Sequence, residues 1–255
     1  MDPAAFAGIG LAFGAIFLSM LMEGGNPVSI MLLPPIILVL GGTIGAAMAG
    51  GLLKDTLSIG KLLQKALMSK PAEPDDLVEA VVSLADRARR EGLLALEDAV
   101  KGVDDPFLRR GLELAIDGTD PEELREILEG EVEAKRKVDL AGAKLFADMG
   151  GYAPTIGIIG TVLGLVHVLE NLSDPGQLGH LIAGAFVATL WGVMTANVMW
   201  LPLASRLKRI GGLESAQMEL AVEGIIAIQA GANPRLVAQK LRSLLPPGAE
   251  AKKAA

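Results

Sequence analysis

The sequence contains no cysteine, one tyrosine, two tryptophans and only two histidines in 255 residues. Without cysteine there is no disulfide scaffold, no thiolate metal site and no cysteine nucleophile. The histidines do not cluster with acidic residues at metal spacing, and there is no P-loop, dinucleotide fingerprint or serine elbow in a strand context, so neither a metal centre nor an enzyme finds its residues here. A positive excess is missing too: 23 Lys and Arg against 30 Asp and Glu give a formal net charge of -7, and no overall field draws nucleic acid. Disorder is excluded because the chain is 51% hydrophobic and only 21% charged. A mean hydropathy of +0.45 is too apolar for an ordinary soluble domain. The class that remains is a membrane protein.

Positive charge is absent from two long stretches. No Lys or Arg occurs from Met1 to Leu53 or from Leu145 to Ser205; 15 lie between Lys54 and Lys144 and 8 between Arg206 and Lys253. A span of the hydrocarbon core needs about 20 largely apolar residues, and a charge at mid-depth costs at least ~2.5 kcal/mol. Each stretch meets that demand twice, dividing at MEGGNP (Met22 to Pro27) and at ENLSDPGQ (Glu170 to Gln177). Both turns are acidic and the blocks after the second and fourth spans are basic, which puts those blocks and both termini in the cytoplasm. Met1 is followed by Asp2 rather than a basic n-region, so the first span reads as an anchor and not a cleaved signal. The fold class is all-α: an integral membrane protein with four transmembrane helices and a helical cytoplasmic domain. The divisions are 1–53 (spans one and two), 54–150 (cytoplasmic domain), 151–205 (spans three and four) and 206–255 (cytoplasmic C-terminal helices and a mobile tail).

In the cytoplasmic block, Leu57, Ile59, Leu62, Leu63, Ala66 and Leu67 recur at roughly helical spacing, so the second span is expected to run on past the membrane surface until PAEP stops it. Asp75 or Asp76 can cap the next helix, which Gly92 interrupts. LLALEDAVKG gives a short helix, Pro106 suits the first turn of another, and Asp120 with Pro121 opens one that feeds the third span. After the fourth span, Arg206 to Arg209 form an interfacial anchor. An amphipathic helix then ends at Gly231, Asn233 and Pro234, and RLVAQKLRSLL makes a last helix before the polar tail PPGAEAKKAA.

Within the spans no carboxylate sits at mid-depth. Glu23, Glu170 and Asp174 lie at the outer turns, His180 begins the fourth span, and His167 lies about two turns inside the third, where it reads as an interfacial hydrogen-bonding residue. A carboxylate that carries ions through this protein therefore belongs to another chain. Small residues recur at packing intervals: Gly41, Gly45 and Ala49; Gly160 and Gly164; Gly184, Ala188, Gly192 and Ala196. Such stripes serve packing within the chain or between copies, and three of them favour oligomerisation. Thr161 and Thr189 sit beside these stripes. On chemistry alone a hydroxyl there either bonds back to a carbonyl one turn earlier, the favoured reading, or offers an oxygen to a cation. Pro154 and Pro202 each interrupt a helix near its cytoplasmic end, as a hinge or a bend.

The segments GGTIGAAMAGG, ADRARREGLLALE, YAPTIGIIGTVLGLV and GAFVATLWGVMTANVMWLPLASRLK, together with this layout, resemble the MotA/PomA flagellar stator subunits of the MotA/TolQ/ExbB proton channel family. The resemblance runs from the first span to about Leu245; ExbB and TolQ proteins resemble only the last two spans and differ in topology. It implies an inner-membrane homopentamer, surrounded by membrane lipid, around two copies of a MotB-type single-span subunit whose Asp binds the ion. It implies no cofactor, the transported Na+ or H+ being cargo. It also implies that loop charges engage the rotor protein FliG. The loop arginine and glutamate eight apart match Arg89 and Glu97, with Gly92 between them and Arg90 as a helper; the competing reading is a solvated face with salt bridges worth under ~1 kcal/mol. The functional prolines match Pro154 and Pro202. Sodium-type relatives carry both channel threonines, matching Thr161 and Thr189, whereas the familiar proton-type pattern has alanine at the first. A hydroxyl helps replace a hard cation's hydration shell, which favours sodium. MEGGNP and LLPPII depart from the familiar forms, so no role is carried over before Gly41. Two alternatives stand beside a stator: an ExbB/TolQ-like energiser of an outer-membrane process, and a passive scaffold.

Overall fold

The computed structural model describes residues 3–69, 74–173 and 175–245, which are helical with no strand among them. The helices are α1 (Ala4–Met22), α2 (Leu33–Gly50), α3 (Leu53–Leu57), α4 (Ile59–Met68), α5 (Pro74–Glu91), α6 (Glu97–Val100), α7 (Pro106–Ile116), α8 (Pro121–Glu170), α9 (Pro175–Thr195), α10 (Leu201–Gln229) and α11 (Pro234–Ser243). Among the described residues four helical stretches are long and apolar enough to cross a membrane: α1, α2, part of α8, and part of the stretch Pro175–Gln229. Packing divides the chain into two units, one of Met1–Lys70 with Asp139–Ile210, the other of Pro71–Val138 with Gly211–Ala255. These boundaries fall inside the segments set by charge, because one marks where side chains pack and the other where Lys and Arg begin.

In the first unit α1 buries none of its residues, while α2 turns Val39, Thr43 and Ala47 inward. The second span does not run on past the membrane surface as expected. α2 ends at Gly50, Gly51 takes an extended conformation, and α3 and α4 follow as separate helices. The break falls at the Gly50–Gly51 pair, where the backbone is freest to turn; the Gly41–Gly42 pair stays helical inside α2, so such a pair permits a break without dictating one. α4 is held to the unit by Lys65, whose ammonium lies 2.7 Å from the Asp139 carboxylate, and by Arg206, whose Nε donates to the Ala66 carbonyl near the α4 C-terminus. The core beneath joins Ala66, Phe146, Met149, Ala153, Trp200, Leu203 and Leu207.

In the second unit α5, α6, α7 and α11 pack with the N-terminal part of α8 and the C-terminal part of α10 around Val81, Leu96, Leu108, Leu112, Leu124, Leu128, Ile225 and Leu241. The expected cap at Asp120 holds, accepting from the Glu122 amide; the helix expected at Pro106 is capped by Asp105, which accepts from the Phe107 and Leu108 amides, and Asn233, read as part of the end of the preceding helix, caps α11 by accepting from Arg235. Asp75 and Asp76 lie in the first turn of α5 rather than before it, with Pro74 at its start, where a missing N–H costs nothing. LLALEDAVKG divides into a 3-10 turn (Leu93–Leu96) and α6. The fourth span and the helix expected after it are joined without a gap through Arg206 to Arg209. Most of PAEP (71–73), Asp2, Asp174 and the tail 246–255 lie outside the described residues.

Candidate functional site

The first unit brings α8 and α9 together backbone to backbone. A β-carbon on Gly157 would lie 2.8 Å from the Ala188 carbonyl oxygen, and one on Gly164 would lie 2.6 Å from the Ala185 β-carbon. On Gly160 it would meet Ala188 at 2.6 Å and Leu38 at 2.7 Å. The stripes of the third and fourth spans are thus used within the chain and carry no argument for oligomerisation. The second-span stripe differs, because Gly41 and Gly45 have nothing within 4 Å of an added β-carbon.

That close approach places Thr161 and Thr189 side by side. Their hydroxyl oxygens are 2.5 Å apart, the Thr161 hydroxyl lies 2.9 Å from the Ala185 carbonyl and 3.3 Å from the Gly157 carbonyl, and the Thr189 hydroxyl also lies 3.3 Å from Gly157 O. The back-bond read for both threonines is present for Thr161, as the longer of two carbonyl contacts whose shorter one crosses to α9, whereas the Thr189 hydroxyl reaches across to Gly157 O and Thr161 on α8. Four oxygens converge at one half-buried point. Two hydroxyl protons cannot occupy all their lone pairs, so the cluster retains the hard-oxygen character a dehydrated cation seeks.

Neither proline interrupts its helix as expected. Pro154 lies inside α8, which runs unbroken from Pro121 to Glu170. Its ring removes one donor, the partner of the Gly150 carbonyl, while the flanking turns keep theirs. Pro202 is the second residue of α10 and follows a π-helical turn at Ala196–Trp200. The widened turn contains Val198, whose carbonyl the Pro202 ring would crowd in a regular α-helix. The two proline sites meet: a β-carbon on Gly150 would lie 2.5 Å from Cδ2 of Leu201. This apposition of two weakened backbone ladders is absent from any local sequence signal.

His167 is nearer the end of α8 than expected, one turn from Glu170, with its Nδ1 3.4 Å from that carboxylate. The Trp191 indole donates to the Ile30 carbonyl at 2.7 Å and ties the turn Pro27–Ile30 to α9. One of two tryptophans in the same apolar span carries no mark of such a role.

The loop charges lie in the second unit, at the end of α5 and the start of α6. Gly92 has φ +88, a left-handed conformation that an L side chain rarely adopts, and it turns the chain between Arg89 and Glu97. Arg90 is paired with Asp86, Arg87 with Glu91 at 3.2 Å, and Lys101 with Asp98 at 2.8 Å. The hydrogen bond from Lys101 holds the Asp98 carboxyl below its usual range. Arg89 and Glu97 are exposed and, among the described residues, make no ion pair. Elsewhere in the unit Glu223 bridges Arg125 and Lys240, each at 2.6 Å, and the hydrogen bond from Arg125 leads in pulling its carboxyl down to about 2.

Comparison with known proteins gives a consistent match. Residues 99–220 match the MotA/TolQ/ExbB proton channel family. Over 247 residues the chain is 37% identical to Motility protein A of Bacillus subtilis (strain 168), covering 96% of this chain and 92% of that protein. The flagellar MotAB stator complex from Bacillus subtilis superposes with a TM-score of 0.91 at 36% identity, covering 99% of this chain and 100% of that one. The C. jejuni MotAB structure gives 0.92 at 29% identity over 97% of each chain.

Proposed function

Because the chain belongs to the MotA/TolQ/ExbB proton channel family, we propose that it is a stator subunit of a bacterial flagellar motor, coupling cation flow through the inner membrane to rotation of the rotor. In this reading five copies surround two copies of a MotB-type partner, both termini are cytoplasmic, and the partner's single span supplies the ion-binding Asp. The cation is cargo rather than cofactor, and its gradient is the energy source in place of an enzymatic reaction.

The observation that carries the reading is the meeting of Thr161 and Thr189 across α8 and α9. Hydroxyl and carbonyl oxygens at that point replace water around a cation handed to or from the partner's carboxylate, and sodium gains more from such ligands than a proton does. Pro154 and Pro202 supply a compliant point where Gly150 meets Leu201, about 16 Å along α8 from Thr161. A change in the partner's charge repacks the Gly150–Leu201 contact at small backbone cost, since each ladder already lacks a bond there. Arg89, Arg90 and Glu97 engage the rotor protein FliG.

Native mass spectrometry of the detergent-extracted complex from its own host tests the assembly. Five copies of this chain with two of a single-span protein carrying a membrane Asp support the reading. A monomer, or a ring whose partner lacks that Asp and a peptidoglycan-binding domain, favours the passive scaffold or the ExbB/TolQ-like energiser.

A further inference from the structure

We infer that a groove between α1 and the start of α10 seats one acyl chain of an anionic phospholipid of the inner leaflet, with the lipid phosphate at Arg206. The leaflet rests on the orientation proposed above; the groove and its charge rest on the first unit alone.

The groove holds about 310 Å³. One wall is α1, with Ala4, Gly8 and Ala12 four residues apart on one face. The other is the π-helical turn and the start of α10, with Val198, Pro202 and Arg206, again four apart. Each wall rises about 12 Å over these residues. α1 touches the core of its unit through Ile9 yet buries none of its residues. A β-carbon on Gly8 would meet nothing within 4 Å, whereas one on Gly157 or Gly164 would strike α9. The residue type that lets α8 and α9 close on each other thus leaves space beside α1. Asn197, in the same wall, turns its amide back along its own helix and donates to the Val193 carbonyl at 2.8 Å. A gap of this lining within a membrane span forfeits dispersion contacts if empty and offers water few partners, so a hydrocarbon chain fills it best.

The end of the groove selects the headgroup. Arg206 stands where the stretch without Lys or Arg gives way to Arg206, Lys208 and Arg209. No Asp or Glu occurs between Asp174 and Glu214, so neither α9 nor the first turns of α10 carry a competing carboxylate. On α8, Asp139 is held by Lys65 at 2.7 Å. The Arg206 Nε donates to the Ala66 carbonyl, which fixes the plane of the guanidinium at the groove. That planar fork matches the oxygens of a phosphate, and Arg209 lies three residues on, one turn further along the same face. A zwitterionic headgroup would bring a second cation to these two arginines, which repel it; an anionic one brings none.

The test uses the intact complex extracted from its host, delipidated and titrated with phosphatidylglycerol or phosphatidylcholine of identical acyl chains. Bound lipid is counted per chain by native mass spectrometry. The parent is expected to hold one phosphatidylglycerol per chain roughly tenfold more tightly than phosphatidylcholine. Gly8→Leu fills the groove from an open position, and is expected to cut that binding several-fold while the complex keeps its subunit stoichiometry. Arg206→Gln is expected to bind the two lipids alike. Arg206→Lys, which also loses the Nε bond to Ala66 but keeps the charge, is expected to retain the preference. Equal binding of both lipids by the parent overturns the inference, as does a Gly8→Leu variant that binds like the parent. So does loss of the preference in Arg206→Lys, which would trace it to the seating of α4 rather than to charge. If Gly8→Leu breaks the assembly, the groove is a contact between copies and the inference is overturned. A parent stoichiometry other than five and two strikes the stator reading and leaves the lipid count per chain intact.

Discussion

Gly192 on α9 and Ala153 on α8 meet so closely that a β-carbon on Gly192 would lie 2.5 Å from the Ala153 carbonyl oxygen and 3.1 Å from the Gly157 α-carbon. Both obstacles are backbone, so no rotamer change relieves them. Gly192→Ala is expected to part the two helices and destabilise the first unit by about 1–3 kcal/mol, lowering the thermal midpoint of the detergent-solubilised protein. Gly41→Ala, where nothing lies within 4 Å, is the matched control and should leave that midpoint unchanged or slightly raised. Equal effects from the two substitutions would show that the close approach is not what holds α8 to α9.

The same approach sets the threonine pair. Thr161→Ser keeps the hydroxyl near the Thr189 hydroxyl and Ala185 O, and is expected to keep swimming. Thr161→Val fills the same volume without the oxygen and is expected to cut sodium-driven swimming several-fold while melting within a few degrees of the parent. A valine variant that swims normally in sodium would remove the hydroxyls from the ion pathway.

Charge at the loop makes a separate prediction, because Arg89 and Glu97 are exposed and have no local ion pair to lose. Arg89→Glu and Glu97→Lys should each slow swimming without changing the melting of the second unit. Reversing Asp86, which pairs with Arg90, should have a smaller effect. If both reversals are silent singly and together, the loop does not engage a rotor.

Acid should loosen the second unit through Glu223. Its carboxyl titrates at about 2 in the folded protein, against an ordinary value of 4.5, because of the hydrogen bond from Arg125 and the further bond from Lys240. The unfolded chain therefore takes up this proton first as pH falls. The stabilisation is complete above the unfolded value, fades from about pH 4.5 downward and is gone below about pH 2, amounting to about 1–2 kcal/mol once the partial exposure of Arg125 is allowed for. Glu223→Gln should lower the neutral-pH melting midpoint and flatten its decline between pH 5 and pH 3, measured by circular dichroism. A parent protein equally stable at both pH values would show that this cluster contributes nothing.

Much of this architecture is legible in the residues because two solvents sort them strongly. The gaps in Lys and Arg mark the four spans, and Asp120 marks a helix start because an unsatisfied first turn needs an acceptor. Three features escape for physical reasons. A small-residue stripe states that a backbone can come near without stating whose, and the third and fourth spans turned theirs on each other. The repeat from Leu57 to Leu67 has helical spacing but does not say whether the preceding helix continues into it, and the chain turns extended at Gly51 between them. The π-turn at Ala196–Trp200 is a response to Pro202 within a packed helix, and apolar periodicity is blind to a turn widened by one residue. In the site, the residue types at 161 and 189 are legible; their meeting is a product of Gly157, Gly160 and Gly164 packing on α9.

The measurement that tests the central claim most directly is swimming speed in a host lacking its own stator and supplied with this chain and its single-span partner, with the sodium and proton gradients collapsed independently. The account predicts restored swimming that stops when the sodium gradient is removed and persists when only the proton gradient is reduced. Swimming that survives the loss of both gradients, or a correctly assembled complex in the membrane that restores none, would contradict it.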